Sequence, residues 1–443
     1  MSAAGQPLLV GVDVGTTRVK AVAVDVERRV LGDHAVPTPW RHQGARADVD
    51  PAALAAASIE AAVGAVQGAG GRAMAIGVTG ISETGVLLDR HGSPLAPALA
   101  WHDPRGDCDA VRERLGEDVY RRTAGRQVTA VSSLPKLLWL RRHIPAARDA
   151  VRFVSVPEWV VHALGGDQVN ELSLVSRTGL FDVPAKSPWA EGLSLLEVGA
   201  SFLGEIVAAG QPVGRVRDDA PVGLRGAILT VAGHDHQTAA YALGAAVDGV
   251  LVDSLGTAEA LLRTVRAPIE PDAVQRLADA SITTGWGVVP DHLCLLAGLP
   301  TGISLERVGA MVGAPKPAER IELGRRALIS DRSVTAMRAS ATYHGLTLHD
   351  VDDAADPALV WRVAVEDISA MGEQILLVMA AEVGQHRDAL VTGGWLHNPM
   401  VRAVKERQFG SFVSQDLAEP GAMGAAEMAG VAAGVLPPRW DLA

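Results

Sequence analysis

Three short segments carry residue types able to do chemistry. The first is Asp13-Val14-Gly15-Thr16-Thr17, which closes the apolar run 8–12. Glycine lets backbone approach an anion closely, and successive amides with threonine hydroxyls can donate to phosphate-type oxygens. An acid at the strand end can hold a hydrated divalent cation that bridges such oxygens. An ordinary hairpin turn accounts for the same residues, and Lys20 reads either as a cation beside the anion or as a solvated strand residue. The second segment, Gly233-His234-Asp235-His236-Gln237, follows the apolar run 227–232 and precedes a helix. Asp235 then stands where an α/β crevice opens, and a carboxylate there can take the proton of an alcohol hydroxyl. Two other readings stay open: Asp235 caps the helix, or His234 and His236 ligate a metal whose third ligand the sequence does not reveal. The third segment pairs Ser82-Glu83-Thr84 with Trp101-His102-Asp103-Pro104-Arg105. A carboxylate binding two hydroxyls beside an indole face packed on a carbon chain describes a polyol or sugar pocket. A core tryptophan with an Asp103–Arg105 surface pair describes the same residues.

The elements that must position these segments follow from periodicity. Runs 8–13, 19–24 and 30–36 form a β-meander, a helix with proline in its first turn spans 51–67, and 74–78 is a buried strand. Together they make a three-layer α/β unit. The stretch 9–16 is echoed at 250–257, so that Gly256-Thr257 repeats Gly15-Thr16 and Ser254 replaces Asp13. Two such halves facing each other place their glycine turns on opposite sides of one phosphate chain, with a boundary at 243–249. In the second half, Trp361, Val365, Ile368, Met371, Ile375 and Met379 mark the buried face of a long helix over 358–382. A strand at 389–392, Gly393-Gly394, a helix from 399, a short strand at 411–414 and a helix opening at 421–426 complete the chain. Small residues in that last helix permit close approach either of a flat ligand or of the helix to a sheet.

Composition sets the limits. The chain has 443 residues, 48% hydrophobic and 21% charged, enough for two or three domains and incompatible with disorder. Acids outnumber bases 51 to 40, giving a net charge of −11 with no basic stripe, which argues against nucleic-acid and anionic-membrane partners. Cys108 and Cys294 are the only cysteines, so neither a disulfide framework nor a thiolate zinc site is expected. The first residues carry no signal-peptide pattern, and a cytoplasmic, reducing location is expected.

In this order the motifs resemble those of the FGGY carbohydrate kinase family, the group containing glycerol kinase, xylulokinase, ribulokinase and fuculokinase. Residues 11–17 with Lys20 resemble the family's first phosphate motif, and 76–84 the strand and turn whose Glu contacts substrate hydroxyls. Pro97-Ala98-Leu99-Ala100-Trp101 with Asp103 and Arg105 is similar to the Pro-Ala-x-x-Trp-x-Asp-x-Arg segment, and Lys136–Leu140 and 173–182 follow in family order. Asp235 falls on the catalytic base, Ser254-Leu255-Gly256-Thr257 on the second phosphate motif, and Gly393-Gly394, Asn398 and 419–426 on the adenosine-binding region. The resemblance implies an α/β fold of two ribonuclease-H-like domains of the actin and hexokinase ATPase type, closing on a central ATP and sugar cleft. It implies a sugar- and phosphate-binding domain carrying the base over 1–246 and a shortened nucleotide-binding domain over 247–443.

The implied activity is ATP-dependent phosphorylation of a hydroxyl of a small sugar or polyol. Asp235 would be the base and Asp13 the Mg²⁺ partner through water. Glu83, Trp101 and Asp103 would hold the sugar, with His234 and His236 leaning toward an open-chain ketose. Gly15, Thr16, Thr17, Lys20, Gly256 and Thr257 would hold phosphates, and Gly393, Gly394 and Asn398 the adenosine. A homodimer is the family's common arrangement. Arg18, a shortened 305–361 segment and Trp395 depart from the family pattern. Two other classes fit part of the pattern: a catalytically inactive sugar or nucleotide sensor, and an actin-like ATPase, which leaves Glu83 and Trp101 unexplained.

Overall fold

A computed structural model describes residues 7–352 and 355–441. Its frame is a pair of six-stranded sheets. In the first, β1 (Pro7–Val14), β2 (Arg18–Val24) and β3 (Val30–Pro37) form the expected antiparallel meander. On the other side of β1 lies β4 (Arg72–Gly80), parallel to it, and β6 (Ile228–His234) is parallel to β4. The edge strand β5 (Pro212–Arg215) runs antiparallel to β6.

The second sheet repeats five strands of this pattern and differs at its edges. Strands β7 (Val250–Leu255), β8 (Glu259–Arg266) and β10 (His292–Leu299) form an antiparallel meander, with β9 (Thr283–Trp286) at its edge. Strand β11 (Asp388–Thr392) pairs parallel with β7, and β12 (Val413–Ser414) parallel with β11. Register carries the likeness to single residues. Asp13 stands between Lys20 and Thr79, and Ser254 stands between Ala260 and Thr392. The sequence echo at 9–16 and 250–257 is thus a structural one.

Helix α1 (Pro51–Ala69) lies on the first sheet through Leu54, Ala61, Ala62 and Ala65. Its first turn is capped by Asp50, whose carboxylate accepts the Ala52 amide at 2.9 Å, and it stops at Gly70, with φ 68°. By length and composition α1 alone among the described residues is apolar enough to cross a membrane, and here it serves as a sheet-covering helix.

The opposite face of the first sheet receives α7 (Pro420–Ala432), from the far end of the chain, together with α2 (Asp235–Ala242). The unit expected to run from 247 to 443 therefore lends its last helix to the first sheet. Sheet and helix meet backbone to backbone. A methyl group on Gly11 would fall 1.8 Å from the Ala422 carbonyl, and one on Gly77 2.0 Å from the Ala425 carbonyl. The small residues of α7 serve helix-to-sheet packing. Behind the second sheet, α3 (Thr301–Met311), α4 (Pro317–Leu328), α5 (Pro357–Val383) and α6 (Pro399–Phe409) enclose a core around Trp361, Leu305, Val308 and Val391.

Gly11→Ala tests this contact. The added methyl has no room against backbone, so a loss of about 3 kcal/mol in stability is expected, read as a lower thermal midpoint. Gly199→Ala, where an added methyl meets nothing within 4 Å, leaves the midpoint unchanged.

Candidate active site

A cleft of about 280 Å³ opens between the two sheets. Thr16, Glu83, Trp101, His234, Asp235 and His236 line it from the first sheet's side, and Ala258, Glu259, Leu296 and Tyr343 from the second. Asp235 is the first residue of α2, directly after β6, and its Oδ1 accepts the His236 amide at 2.7 Å. Its side chain keeps 25% exposure, so an incoming hydroxyl can reach it. His234 is buried, which pushes its pKa down to about 3 and keeps the ring neutral; its Nε2 lies 3.5 Å from Asp235 Oδ1 and its Nδ1 has no partner. Among the described residues no cluster of three or more metal-ligating side chains exists, so the His–Asp–His metal reading gains no third ligand.

The end of β6 is held from behind. Ser173 Oγ accepts the His234 amide at 3.0 Å and donates to Glu171 at 2.6 Å. Burial raises Glu171 to about 7 and its neighbour Glu158 to about 8. Both belong to a hydrogen-bonded scaffold that includes Asn170, whose Nδ2 donates to Glu158 at 2.8 Å.

Asp13, the last residue but one of β1, faces the first turn of α7, where a methyl on Gly421 would come within 2.5 Å of its Oδ2. Burial, then the charge of Asp235, raise its pKa to about 7, and Oδ1 is buried without a partner. An orphaned carboxylate oxygen repelled by a second carboxylate fits a divalent cation, and Mg²⁺ needs only one or two carboxylates when phosphates and water complete its shell. Lys20 is not a free cation: its Nζ lies 2.6 Å from Glu419, the residue before α7. The turn itself is clamped by two indoles. Trp40 Nε1 donates to the Thr16 carbonyl at 2.6 Å and Trp101 Nε1 to Thr16 Oγ1 at 3.0 Å, while Thr17 is exposed.

The floor of the cleft differs from expectation. Glu83 is buried against Arg126 at 3.2 Å and Arg177 at 3.0 Å, and its second oxygen accepts Ser82 Oγ at 2.6 Å. Burial alone would raise its pKa, but Arg177 and then Arg126 outweigh it and hold the carboxyl well below the usual range. Neither arginine is marked by a sequence motif; Arg177 falls within the 173–182 segment matched only by order. Asp103 lies outside the cleft. Its buried carboxylate accepts the Ala47 amide at 2.7 Å and the Arg105 amide at 2.8 Å, and pairs with the Arg105 guanidinium at 2.7 Å. A buried carboxylate needs such partners, and here they are Arg105 in its own turn and the Ala47 amide of a neighbouring strand.

On the second sheet, the turn after β7 presents Gly256 and Thr257; the Ile303 amide donates to the Thr257 carbonyl at 2.7 Å. Beside it a slot of about 280 Å³ is lined by Leu255, Gly256, Pro317, Arg320, Gly394, Trp395 and Asn398. Gly393, with φ 109°, lets the chain pass over the Leu255 carbonyl, from which a Cβ would be 2.4 Å. Asn398 lines the slot, yet its carboxamide caps α6: Oδ1 accepts the Met400 amide at 3.1 Å and Nδ2 donates to the Arg320 carbonyl at 2.7 Å. Trp395 forms a wall with the Arg320 guanidinium 5.2 Å from its ring centre. A flat, partly apolar slot joined to two glycine turns can take a nucleotide base and its phosphates.

Two like-folded sheets facing one cleft, with a glycine turn on each side, define the actin and hexokinase type of ATPase fold. Residues 8–242 match the N-terminal domain of the FGGY family of carbohydrate kinases. The chain is 31% identical over 363 residues to a xylulose kinase of Streptomyces coelicolor, covering 79% of this chain and 73% of the relative. It is 28% identical over 458 residues to a glycerol kinase of Aromatoleum aromaticum, covering 96% and 90%. Its fold matches the Plasmodium falciparum glycerol kinase structure with ADP at a TM-score of 0.88 and 15% identity, covering 99% of this chain and 92% of that one. The xylulose kinase of Rhodospirillum rubrum matches at 0.86 and 19%, covering 98% and 92%. The chain belongs to the FGGY family of carbohydrate kinases, phosphotransferases with an alcohol acceptor.

The raised Asp13 pKa has a measurable sign. Its ordinary value is 3.8 and its folded value about 7, so the free protein loses stability from this group as pH rises through that window. Asp13→Asn removes the loss. Its thermal midpoint should exceed that of the unaltered protein by more at about pH 8 than at about pH 5, and magnesium should raise the midpoint of the unaltered protein only. An equal difference at both pH values contradicts the assignment.

Proposed function

We propose that the chain transfers the γ-phosphoryl group of ATP to a hydroxyl of a small open-chain sugar or polyol, the ketose suggested by His234 and His236 among them, with Asp235 as general base. The observation that carries this is the position of Asp235: at a helix start in the cleft, exposed enough to meet an acceptor, its backbone fixed by the Ser173–Glu171 scaffold. In the step, the acceptor hydroxyl gives its proton to an Asp235 carboxylate oxygen. Its oxygen forms the new bond to the γ-phosphorus as the bond to ADP breaks. Such a transition state asks the protein for little covalent chemistry and much positioning.

The turns at Gly15–Thr17 and Gly256–Thr257 stand on opposite sides of the phosphate path, where amides and hydroxyls can donate to it. Magnesium, held by Asp13 with phosphate oxygens and water, would neutralise phosphate charge. The slot beside Trp395 and Arg320 takes the adenine. Trp101 supplies an apolar face for the acceptor's carbon chain, and closure of the sheets excludes water that would otherwise compete.

Asp235→Asn should lower kcat by about 10² to 10⁴ while leaving ATP and acceptor binding, read by calorimetry, within a few-fold. Turnover close to that of the unaltered protein would assign the proton to another group.

A further inference from the structure

We infer that the acceptor is an open-chain sugar acid, an aldonate whose carboxylate is held by Arg126 and Arg177 while a distant hydroxyl meets Asp235. This rests on the kinase reading above and names its substrate class.

The floor of the cleft has one more positive charge than it has partners. Arg126 and Arg177 are 5% and 4% exposed and both line the cleft, and Glu83 is the carboxylate they share. Each Glu83 oxygen already has a protein donor, Oε1 the two guanidiniums and Oε2 the Ser82 hydroxyl, so its charge is spent inside the protein. What the floor has left to offer is donors: Arg177 Nη1 is buried with no partner. Arg126 Nη1 donates to the Arg177 backbone carbonyl, which ties the Arg126 side chain to the segment that carries Arg177.

The remaining charges of the cleft do not supply the missing anion. His234 is neutral, and Glu259 is committed to Lys405 at 2.6 Å and to Thr301 at 2.5 Å. Asp235 is the proposed proton acceptor. A buried guanidinium without a counter-charge is costly, and a ligand carboxylate supplies both the charge and the paired acceptor geometry that guanidiniums bind best. The excess of one charge suits a carboxylate and is short of what a phosphomonoester carries. Space exists for the acid end: a recess of about 170 Å³ lined by Arg126, Thr129, Val131, Ser281 and Thr283 continues from the cleft past Arg126. A neutral sugar filling the same space leaves the charge open.

The experiment measures binding and turnover separately. Calorimetry on the Asp235→Asn protein compares xylitol with xylonate and glucitol with gluconate. ADP release by the unaltered protein with Mg·ATP uses the same pairs. The aldonates should bind at least about tenfold more tightly than their neutral partners, an advantage that shrinks at about 0.5 M sodium chloride. Arg126→Gln leaves Glu83 paired with Arg177 and removes the surplus charge. It should keep the fold, read as an unchanged circular dichroism spectrum, while losing the preference for acids. Neutral polyols binding as tightly as aldonates, or neither binding, overturns the inference. ADP release with polyols alone overturns it while the kinase reading stands. Aldonate binding with no ADP release from the unaltered protein keeps the acid site and overturns the kinase reading.

Discussion

Everything in the cleft is referenced to the contact between helix α7 and the first sheet. Gly11 of β1 and Gly77 of β4 leave no side chain between the strands and the Ala422 and Ala425 carbonyls, and Gly424 brings the same helix against the Thr238 carbonyl of α2. The helix is thus pressed between the strand that carries Asp13 near its end and the helix that begins at Asp235. Its own first turn stands over Asp13, and the residue before it pairs with Lys20. The separation of the two carboxylates is set by backbone-to-backbone packing, which does not relax as side-chain packing does. That rigidity lets an active site hold charges apart from their partners without collapse.

The cleft uses carboxylates in three ways, and environment decides which. Asp13 is half-buried, with one oxygen cut off from solvent near a like charge, and its pKa climbs to about 7, a state that a cation relieves. Glu83 is more deeply placed but sits between two guanidiniums and stays ionised. Asp235 keeps contact with solvent and has a neutral imidazole beside it. Behind these, Glu158 and Glu171 have pKa values raised by burial and act through hydrogen bonds to backbone and to Ser173, holding the strand end that carries the base. On the second sheet, Lys405 lies between Asp253 at 2.8 Å and Glu259 at 2.6 Å, fastening the strands that flank the Gly256–Thr257 turn to helix α6.

Much of this was legible in residue order. Alternating and three-four periodicity located the meander, α1 and the long helix α5, because those elements bury one face over many residues. The echo between 9–16 and 250–257 located both turns, since each glycine turn must follow an apolar strand. What was not legible depended on contacts between distant loops. Arg126 and Arg177 stand 43 and 94 residues from Glu83, in segments with no periodicity or motif, and only folding brings them to its carboxylate. Asp103 misleads for a local reason: an Asp-x-Arg triplet reads the same whether its carboxylate faces a ligand or ties its own turn. The small residues of α7 fit a flat ligand or a close sheet equally well, and the choice lay in Gly11 and Gly77, about 350 residues or more earlier in the chain.

The central claim is that this cleft couples the cleavage of ATP to an alcohol acceptor and withholds it from water. The most direct measurement is the rate of ADP release from Mg·ATP with no acceptor, compared with the rate in the presence of a mixture of polyols, ketoses, aldoses and sugar acids. The account predicts a slow background and stimulation of at least about a hundredfold by some member of the mixture. Rapid hydrolysis that is indifferent to every acceptor would contradict it and make the protein an ATPase built on the same frame.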